Sequence, residues 1–485
     1  MKSVSIIGGG ISGLCTGILA RLKGYEVTIY EKNKYLGGGY KASIDYGFAN
    51  NYIMIGEEDS NIRKKLSKII SFDNIELMST EYIYSYKLGE ENLFIYSDLK
   101  RLERHLLDLS PFDKNNIGFL IDGCKLVESI DFSFENKKKT FFKDKNSKNY
   151  EHLYNKFGKI TIEEYAQRFN SELIKNALKN IINPKDSLVK LVLIIGLYTT
   201  GRLIYVKNSE DILNNLINKF NELNGKIECG EVVKKIDIDN CIIQLENKRI
   251  KSDYIINSAD IYEFNTELMN NKNITSNNKF FFDSIDTCNT NSLFVIDYII
   301  KGIESNYYFS WKNDKVFRVG SKENDIFKVF VRDNKLSVIF KQNGDDFEFF
   351  KILFKNNNVY KNEINRIVND VTMMIEDYFL KLGFSKKEFK IRFEKCITPF
   401  DFYEEFKMYK GNIEGFKSSP KSIGASLNSE VKNYDNVFCI NGSLMQPGWL
   451  FSCFLIAINN VNKYLIDEKG KEEWRIVLRK LWHLR

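Results

Sequence analysis

The chain is poor in the residue types that most often announce chemistry or a chain break. Three histidines stand in 485 residues, at His105, His152 and His483. Their contexts read as a helix, a polar loop and the C-terminal tail, which argues against a Ser-His-Asp triad or a His-based metal site. Five prolines punctuate the whole length, and no low-complexity linker or internal repeat is visible. Eight cysteines, at positions 15, 124, 229, 241, 288, 396, 439 and 453, never fall into CxxC or another metal-ligand spacing. Buried free thiols in a reducing cytoplasm are the expectation. The longest apolar stretches, Leu188 to Tyr198 (broken by Lys190) and Leu450 to Ile458, fall short of the ~20 residues that cross a bilayer as a helix. Val4 to Ile7 reads as a strand with no signal-peptide pattern ahead of it, so secretion is not expected.

The rest of the composition is ordinary for a globular protein: 43% hydrophobic and 28% charged residues. A chain of this length is expected to hold two or three domains. The net charge of +7 accompanies a general richness in Lys, Asn and Ile and does not imply nucleic acid.

The informative segment opens the chain. Val4-Ser-Ile-Ile7 runs as a buried parallel strand into Gly8-Gly9-Gly10-Ile11-Ser12-Gly13, a GxGxxG pattern at Gly8, Gly10 and Gly13. A helix stripe comes next at Ile11, Leu14, Cys15, Ile18, Leu19 and Leu22, with Gly24 to end it. A second strand, Val27 to Tyr30, finishes at Glu31, eighteen residues past Gly13, where a carboxylate accepts hydrogen bonds from a ribose. Gly8 permits the tight turn, Gly10 the approach of a pyrophosphate, and Gly13 close packing of helix on strand. Backbone N–H groups around Ser12 and Gly13, at the positive end of the helix dipole, are the expected phosphate donors. A dinucleotide cofactor is implied, and NAD and FAD share this unit.

Beyond Glu31 the chain reads Lys-Asn-Lys-Tyr-Leu-Gly37-Gly38-Gly39. The Gly37-Gly38 pair resembles the second FAD motif of the phytoene desaturase and flavin amine oxidase superfamily, and the resemblance favours FAD over NAD. It is closest to the branch with phytoene desaturases, carotenoid isomerases and retinol saturases. Further segments occur in that family's order: Gly47-Phe48, Tyr96 to Pro111, Thr161 to Phe169, Ser252 to Asp260, Thr398-Pro399 and Gly411 to Gly415. Ser209 reads as the cap of a helix whose stripe is Leu213, Leu216, Ile217 and Phe220, and Val232 to Asp237 as one of the short strands after it. Ile227 to Ile236 is similar to the segment whose valine backbone contacts adenine, with Val233 at the matching position. On periodicity alone Val233 reads as a plain β-core residue. Asn436 to Gly448, then an apolar helix from about Trp449 to Leu465, resembles the family's final flavin-binding strand, Pro-Gly turn and helix. The resemblance sets Gly442, Ser443, Gly448 and Leu450 at the flavin. Two departures stand out: Gly39 replaces a larger residue, and Trp449-Leu450 replaces further glycines.

The resemblance implies an α/β fold, with a glutathione-reductase-like, Rossmann-type FAD domain in three segments, 1–70, 205–265 and 425–470. Residues 71–204 and 266–424 are expected to form a mixed α+β substrate domain, and 471–485 a basic amphipathic tail. The implied activity is FAD-dependent redox chemistry on a carbon–carbon bond (desaturation, saturation or isomerisation) of a small apolar, polyene-like substrate. Oxidation of an amine or amino acid is the alternative within the superfamily, and a non-catalytic binder like the Rab GDP-dissociation inhibitors is the alternative outside enzymes. Flavin hydride transfer needs no histidine, and no catalytic acid or base is assigned. Lys137, Lys138, Lys139, Lys143, Lys145 and Lys148 surround Phe141-Phe142. This segment reads either as a solvated loop or, with the tail, as a peripheral contact with the inner membrane face of a cytoplasmic protein.

Overall fold

The computed structural model describes residues 1–46, 52–54, 61–78, 80–131, 145–269, 274–284, 292–303, 307–332, 334–381, 383–406, 408–413, 427–444 and 450–465. The β-branched run Val4, Ile6 and Ile7, buried throughout, produces β1 (Ser3–Ile7), and the apolar stripe produces α1 (Ile11–Leu22). β2 (Glu26–Glu31) returns parallel to β1, with Val4 opposite Val27 and Ile6 opposite Ile29. Gly24, at φ +89°, turns the chain between them.

β1 and β2 sit inside a six-stranded sheet that takes Lys226–Cys229 beyond β2 and, on the other side of β1, Tyr254–Asn257, Tyr434–Cys439 and Glu430–Val431. All neighbours run parallel except the last pair. Parallel strands need a crossover between them. α1 is the crossover between β1 and β2, while the other parallel pairings join stretches more than 170 residues apart, so the sheet closes around everything inserted between its strands. α1 packs on the helices Leu450–Tyr464 and Ser209–Glu222, burying Leu14, Ile18, Phe220, Phe454 and Ile458 in one core.

A seven-stranded sheet carries the second layer, in the order Lys390–Ile397, Ser292–Lys301, Lys335–Gln342, Lys322–Arg332, Tyr307–Val319, Tyr82–Leu88 and Glu91–Tyr96. It is antiparallel except where Tyr307–Val319 meets Tyr82–Leu88. Its outer face packs on Gly344–Phe354 and Asn357–Lys381 through Phe294, Phe340, Phe350 and Ile367. Helices between Leu99 and Thr199 join the larger core.

Three local expectations are corrected. Only Lys235–Asp237 of the expected strand Val232 to Asp237 is a strand, because the chain before it stays with β2: Gly230 and Glu231 donate their N–H groups to the Asn33 and Glu31 carbonyls, at and just past the end of β2. Asn208, not Ser209, caps the helix Ser209–Glu222, its side chain accepting from Glu210 N at 3.2 Å. His152 lies in the helix Lys145–Phe157 and not in a loop, since Leu153 and Phe157, four apart, bury one face.

Candidate functional site

The glycine turn after β1 is required by contact as well as by conformation. Gly8 has φ +99°, and a Cβ there would lie 2.8 Å from Ala259 N. A Cβ on Gly13 would lie 2.1 Å from the Gly8 carbonyl oxygen. Gly10 differs, because the nearest atom to a Cβ there is Gly37 O at 3.9 Å. The space above Gly10 is therefore open, as backbone approached by a ligand must be.

The second glycine pair lies directly against the first. Gly37 N donates to Gly9 O at 2.9 Å, and Gly10 bridges Gly37 in parallel fashion. Gly37 at φ +112° and Gly38 at φ +52° turn the chain into α2 (Gly38–Asp45). Two helix N-termini, α1 and α2, thus converge at one point with first-turn N–H groups that have no partner inside their helices. Gly39 has a local reason for being glycine, since a Cβ would lie 2.6 Å from Met408 Cε.

Glu31 ends β2 only 5% exposed. Its Oε2 accepts from Gly9 N at 2.7 Å and its Oε1 from Asn33 N at 2.9 Å. Both oxygens are fixed by backbone, and each keeps a lone pair for a further donor. Ser12 holds the opposite end, its Oγ accepting from Gly442 N at 3.1 Å. Asn441 Nδ2 donates to Ala259 O at 2.7 Å, and Ser258 Oγ to Ile440 O at 2.8 Å. These bonds clamp the strand ends of residues 254–257 and 434–439 over the glycine turn.

Asp260 ends the Ser252 to Asp260 segment and enters the site from there. It accepts from Tyr262 N at 2.8 Å and Glu263 N at 3.0 Å and caps Ile261–Glu263. Burial nevertheless pushes its carboxyl above the usual range, against the opposing pull of those N–H donors and of Lys32.

All of this borders one cleft of about 430 Å³. Gly8, Gly10, Ser12, Glu31, Gly37 and Gly38 line it, as do Val233, Gly442 and Leu450. Gly13 sits beneath the turn, and Gly442 begins the short helix Gly442–Leu444 that also holds Ser443. Gly448 and Trp449 lie outside the described residues, as do Gly47-Phe48, Gly415, the 132–144 segment and the 466–485 tail. Val233, half-buried, is an irregular backbone position on the cleft wall and not a strand core residue.

The other half of the cleft is apolar. Ile181, Ile182 and Ile194 come from the helical layer, and Leu293, Phe330 and Ile339 from the seven-stranded sheet. No motif in the sequence singles out Lys328 and Lys341, which line this half, while Asn412, on the same cleft, falls within the Gly411 to Gly415 segment. Among the described residues no group of three or more potential ligands could hold a metal ion, and no helix is long and apolar enough to cross a membrane.

Comparison with known proteins gives four matches, to one family, two relatives and one solved structure. Residues 6–52 match the NAD(P)-binding Rossmann-like domain family. The chain is 27% identical over 205 residues to the 4,4'-diapolycopen-4-al dehydrogenase of Metabacillus indicus, covering 38% of this chain and 40% of that one. It is 28% identical over 131 residues to the 4,4'-diapophytoene desaturase of Staphylococcus aureus, covering 26% of each. The chain thus spans less than half the length of either relative. Cyclohexylamine oxidase from Brevibacterium oxydans superposes with a TM-score of 0.57 at 13% identity, over 97% of this chain and 99% of that one, a likeness of fold. The family match covers a Rossmann-like nucleotide-binding unit at residues 6–52, and the superposition shows a likeness of fold along nearly the whole chain.

Proposed function

We propose that this chain is an FAD-dependent oxidoreductase that moves hydride to or from a carbon–carbon bond of an apolar substrate. The observation that carries the reading is the continuity of the cleft: a nucleotide cradle at Gly10 opens without interruption onto a wall of Ile, Leu and Phe side chains. Relatives named as desaturase and dehydrogenase of diapocarotenoids support it.

The residues present fit FAD. The open face above Gly10 and the converging N-termini of α1 and α2 would hold the pyrophosphate, with Ser12 and Gly13 N–H groups as donors. Glu31 would accept from ribose hydroxyls, and the Val233 backbone would face adenine. Gly37 and Gly38 would lie along the pyrophosphate, and Gly442, Ser443 and Leu450 beside the ring. When bound, FAD supplies a two-electron acceptor whose N5 takes a hydride. The protein's part is to place the reacting carbon against it and to keep water out, which the buried Ile, Leu and Phe walls do. Oxidation of an amine is less favoured, because the side-chain cations in the apolar half, Lys328 and Lys341, repel a protonated amine.

Purified protein should carry non-covalent FAD, seen as visible absorbance released on denaturation. That absorbance should bleach anaerobically with polyenes or unsaturated lipids and not with small amines. Rapid bleaching by amines alone would establish the amine oxidase reading, and absence of bound flavin the binding-protein one. The basic segments at 137–148 and 471–485 make peripheral membrane contact part of the proposal. Its sign would be sedimentation with anionic vesicles that salt reverses.

A further inference from the structure

One turn, residues 408–412, spans the seam between the nucleotide cradle and the apolar half of the cleft. On the cradle side a Cβ on Gly39 would lie 2.6 Å from Met408 Cε, and Tyr409 N donates to Asp260 Oδ2 at 3.5 Å. On the other side Gly411 O accepts from Ser292 Oγ at 2.7 Å, at the start of the strand Ser292–Lys301. Between these points the backbone has little freedom. Lys410 at φ +49° and Gly411 at φ +65° are both left-handed, and a Cβ on Gly411 would lie 2.1 Å from Pro399 O. Gly411 N donates to Met408 O at 2.9 Å, and Asn412 N to Tyr409 O at 3.0 Å. A non-glycine residue stays in the left-handed region only where its surroundings dictate it, so the place of Asn412 at the seam is set by its backbone.

Asn412 is 6% exposed and lines the cleft, and its Oδ1 has no hydrogen-bond partner among the described residues. Other polar side chains of the cleft are engaged within the protein. Lys328 Nζ donates to Ile181 O at 3.3 Å and Asn441 Nδ2 to Ala259 O at 2.7 Å, and Lys32 and Lys341 have interactions of their own. A buried acceptor left unpaired is costly, and a donor brought by a ligand removes that cost. The surroundings select the kind of donor. Met408 and Ile413, which flank the turn, pack with Leu293 and Ile339 in one apolar cluster. An ammonium group would lose its hydration there against one neutral acceptor, whereas a hydroxyl loses far less. A hydroxyl also donates to Oδ1 while its own oxygen accepts from an amide N–H.

We propose that Asn412 is a specificity-determining residue whose side-chain amide binds a hydroxyl group carried by an otherwise apolar substrate. This rests on reading the apolar half of the cleft as the substrate site. It goes further in giving the substrate one neutral polar group that a pure hydrocarbon lacks. The hydroxyl is held at the junction of the two halves, so the carbon–carbon bond presented to the cofactor is one near it and not one at the far end of the chain.

The test is binding, which needs no turnover. Decanol and decyl fluoride, alike in size but differing in the O–H donor, are titrated against the purified full chain by displacement of Nile red. Their partition between water and hexadecane gives the affinity ratio expected of an apolar cleft with no hydrogen bond to offer. Against that ratio the unaltered protein should favour decanol by about fivefold or more. Asn412→Leu should abolish the excess while leaving decyl fluoride binding and flavin content unchanged. Binding by the unaltered protein that follows partition alone overturns the proposal, whatever the fate of the variant. An excess that survives in Asn412→Leu overturns it as well. Loss of bound FAD from that variant would place the amide at the cofactor and likewise overturn it. The excess found intact, with no flavin reduction by any substrate, would uphold the hydroxyl site and count against the redox reading alone.

Discussion

The backbone N–H of Gly442 donates to Ser12 Oγ at 3.1 Å, across 430 positions of sequence. The first turn of the chain's first helix is thereby tied to the last strand's exit, and the Cys453 thiol also hydrogen-bonds Ser12. Ser12→Ala would leave the buried Gly442 N–H only the weaker Cys453 sulfur as acceptor, costing about 1 kcal/mol. We expect a lower denaturant midpoint with an unchanged slope, together with weaker FAD retention. An unchanged midpoint would mean that Gly442 finds another acceptor at no cost.

Gly10 and Gly13 should separate binding from folding. A Cβ at position 13 would meet the Gly8 oxygen at 2.1 Å, backbone against backbone, while one at position 10 meets nothing closer than 3.9 Å. Gly13→Ala should therefore destabilise by at least the ~1–3 kcal/mol typical of overpacking, or fail to fold. Gly10→Ala should fold with a near-normal melting temperature but lose FAD, because the methyl occupies the approach of the pyrophosphate. Thermal melts and flavin content of the two variants decide the matter, and FAD retained by Gly10→Ala would remove that glycine from the cofactor site.

Glu31 is a case in which the isosteric change is not conservative. Each carboxylate oxygen accepts from a different backbone N–H, Gly9 on one side and Asn33 on the other. Glutamine has one acceptor oxygen, so one N–H would face an amide NH₂. Glu31→Gln should lose about 1–3 kcal/mol of stability and release FAD during gel filtration. Full flavin occupancy in that variant would mean that Glu31 serves the turn and not the ribose.

The legible part of the fold is the part whose contacts lie close together in sequence. β1, the glycine turn, α1, β2 and Glu31 occupy one continuous stretch, where glycine spacing and a helix stripe reinforce each other. The strand expected at Val232 to Asp237 is cut short because the backbone just before it hydrogen-bonds to the end of β2 and the residues after it, a partner about 200 residues away. The seven-stranded sheet is illegible for the same reason, joining Tyr82–Leu88 to Tyr307–Val319. Lys328 and Lys341 alternate with apolar residues and read singly as the solvent face of a strand. Only the register of three strands turns that face into the wall of a cleft.

His105 gives the fold a pH dependence whose sign is set by one hydrogen bond. Its Nε2 accepts from Phe94 N at 3.1 Å, which requires the neutral ring, and the imidazole packs at 5.2 Å from the Tyr96 ring and 5.9 Å from that of Phe94. Burial lowers its pKa from 6.5, Arg101 adds to the lowering, and Asp108 opposes it. The unfolded chain therefore takes up the proton first as pH falls. The stability due to this contact is fully present above about 6.5 and declines as pH drops from there toward the lower folded value. Denaturant midpoints between about pH 7.5 and 5 should fall with acidification, and His105→Phe should flatten that part of the profile while lowering stability at its alkaline end. The helix Leu99–Leu109 and the edge strand Glu91–Tyr96 would loosen together, so amide exchange at Phe94 should accelerate first. An identical pH profile in the variant would assign the dependence to other groups and leave His105 a packing residue only.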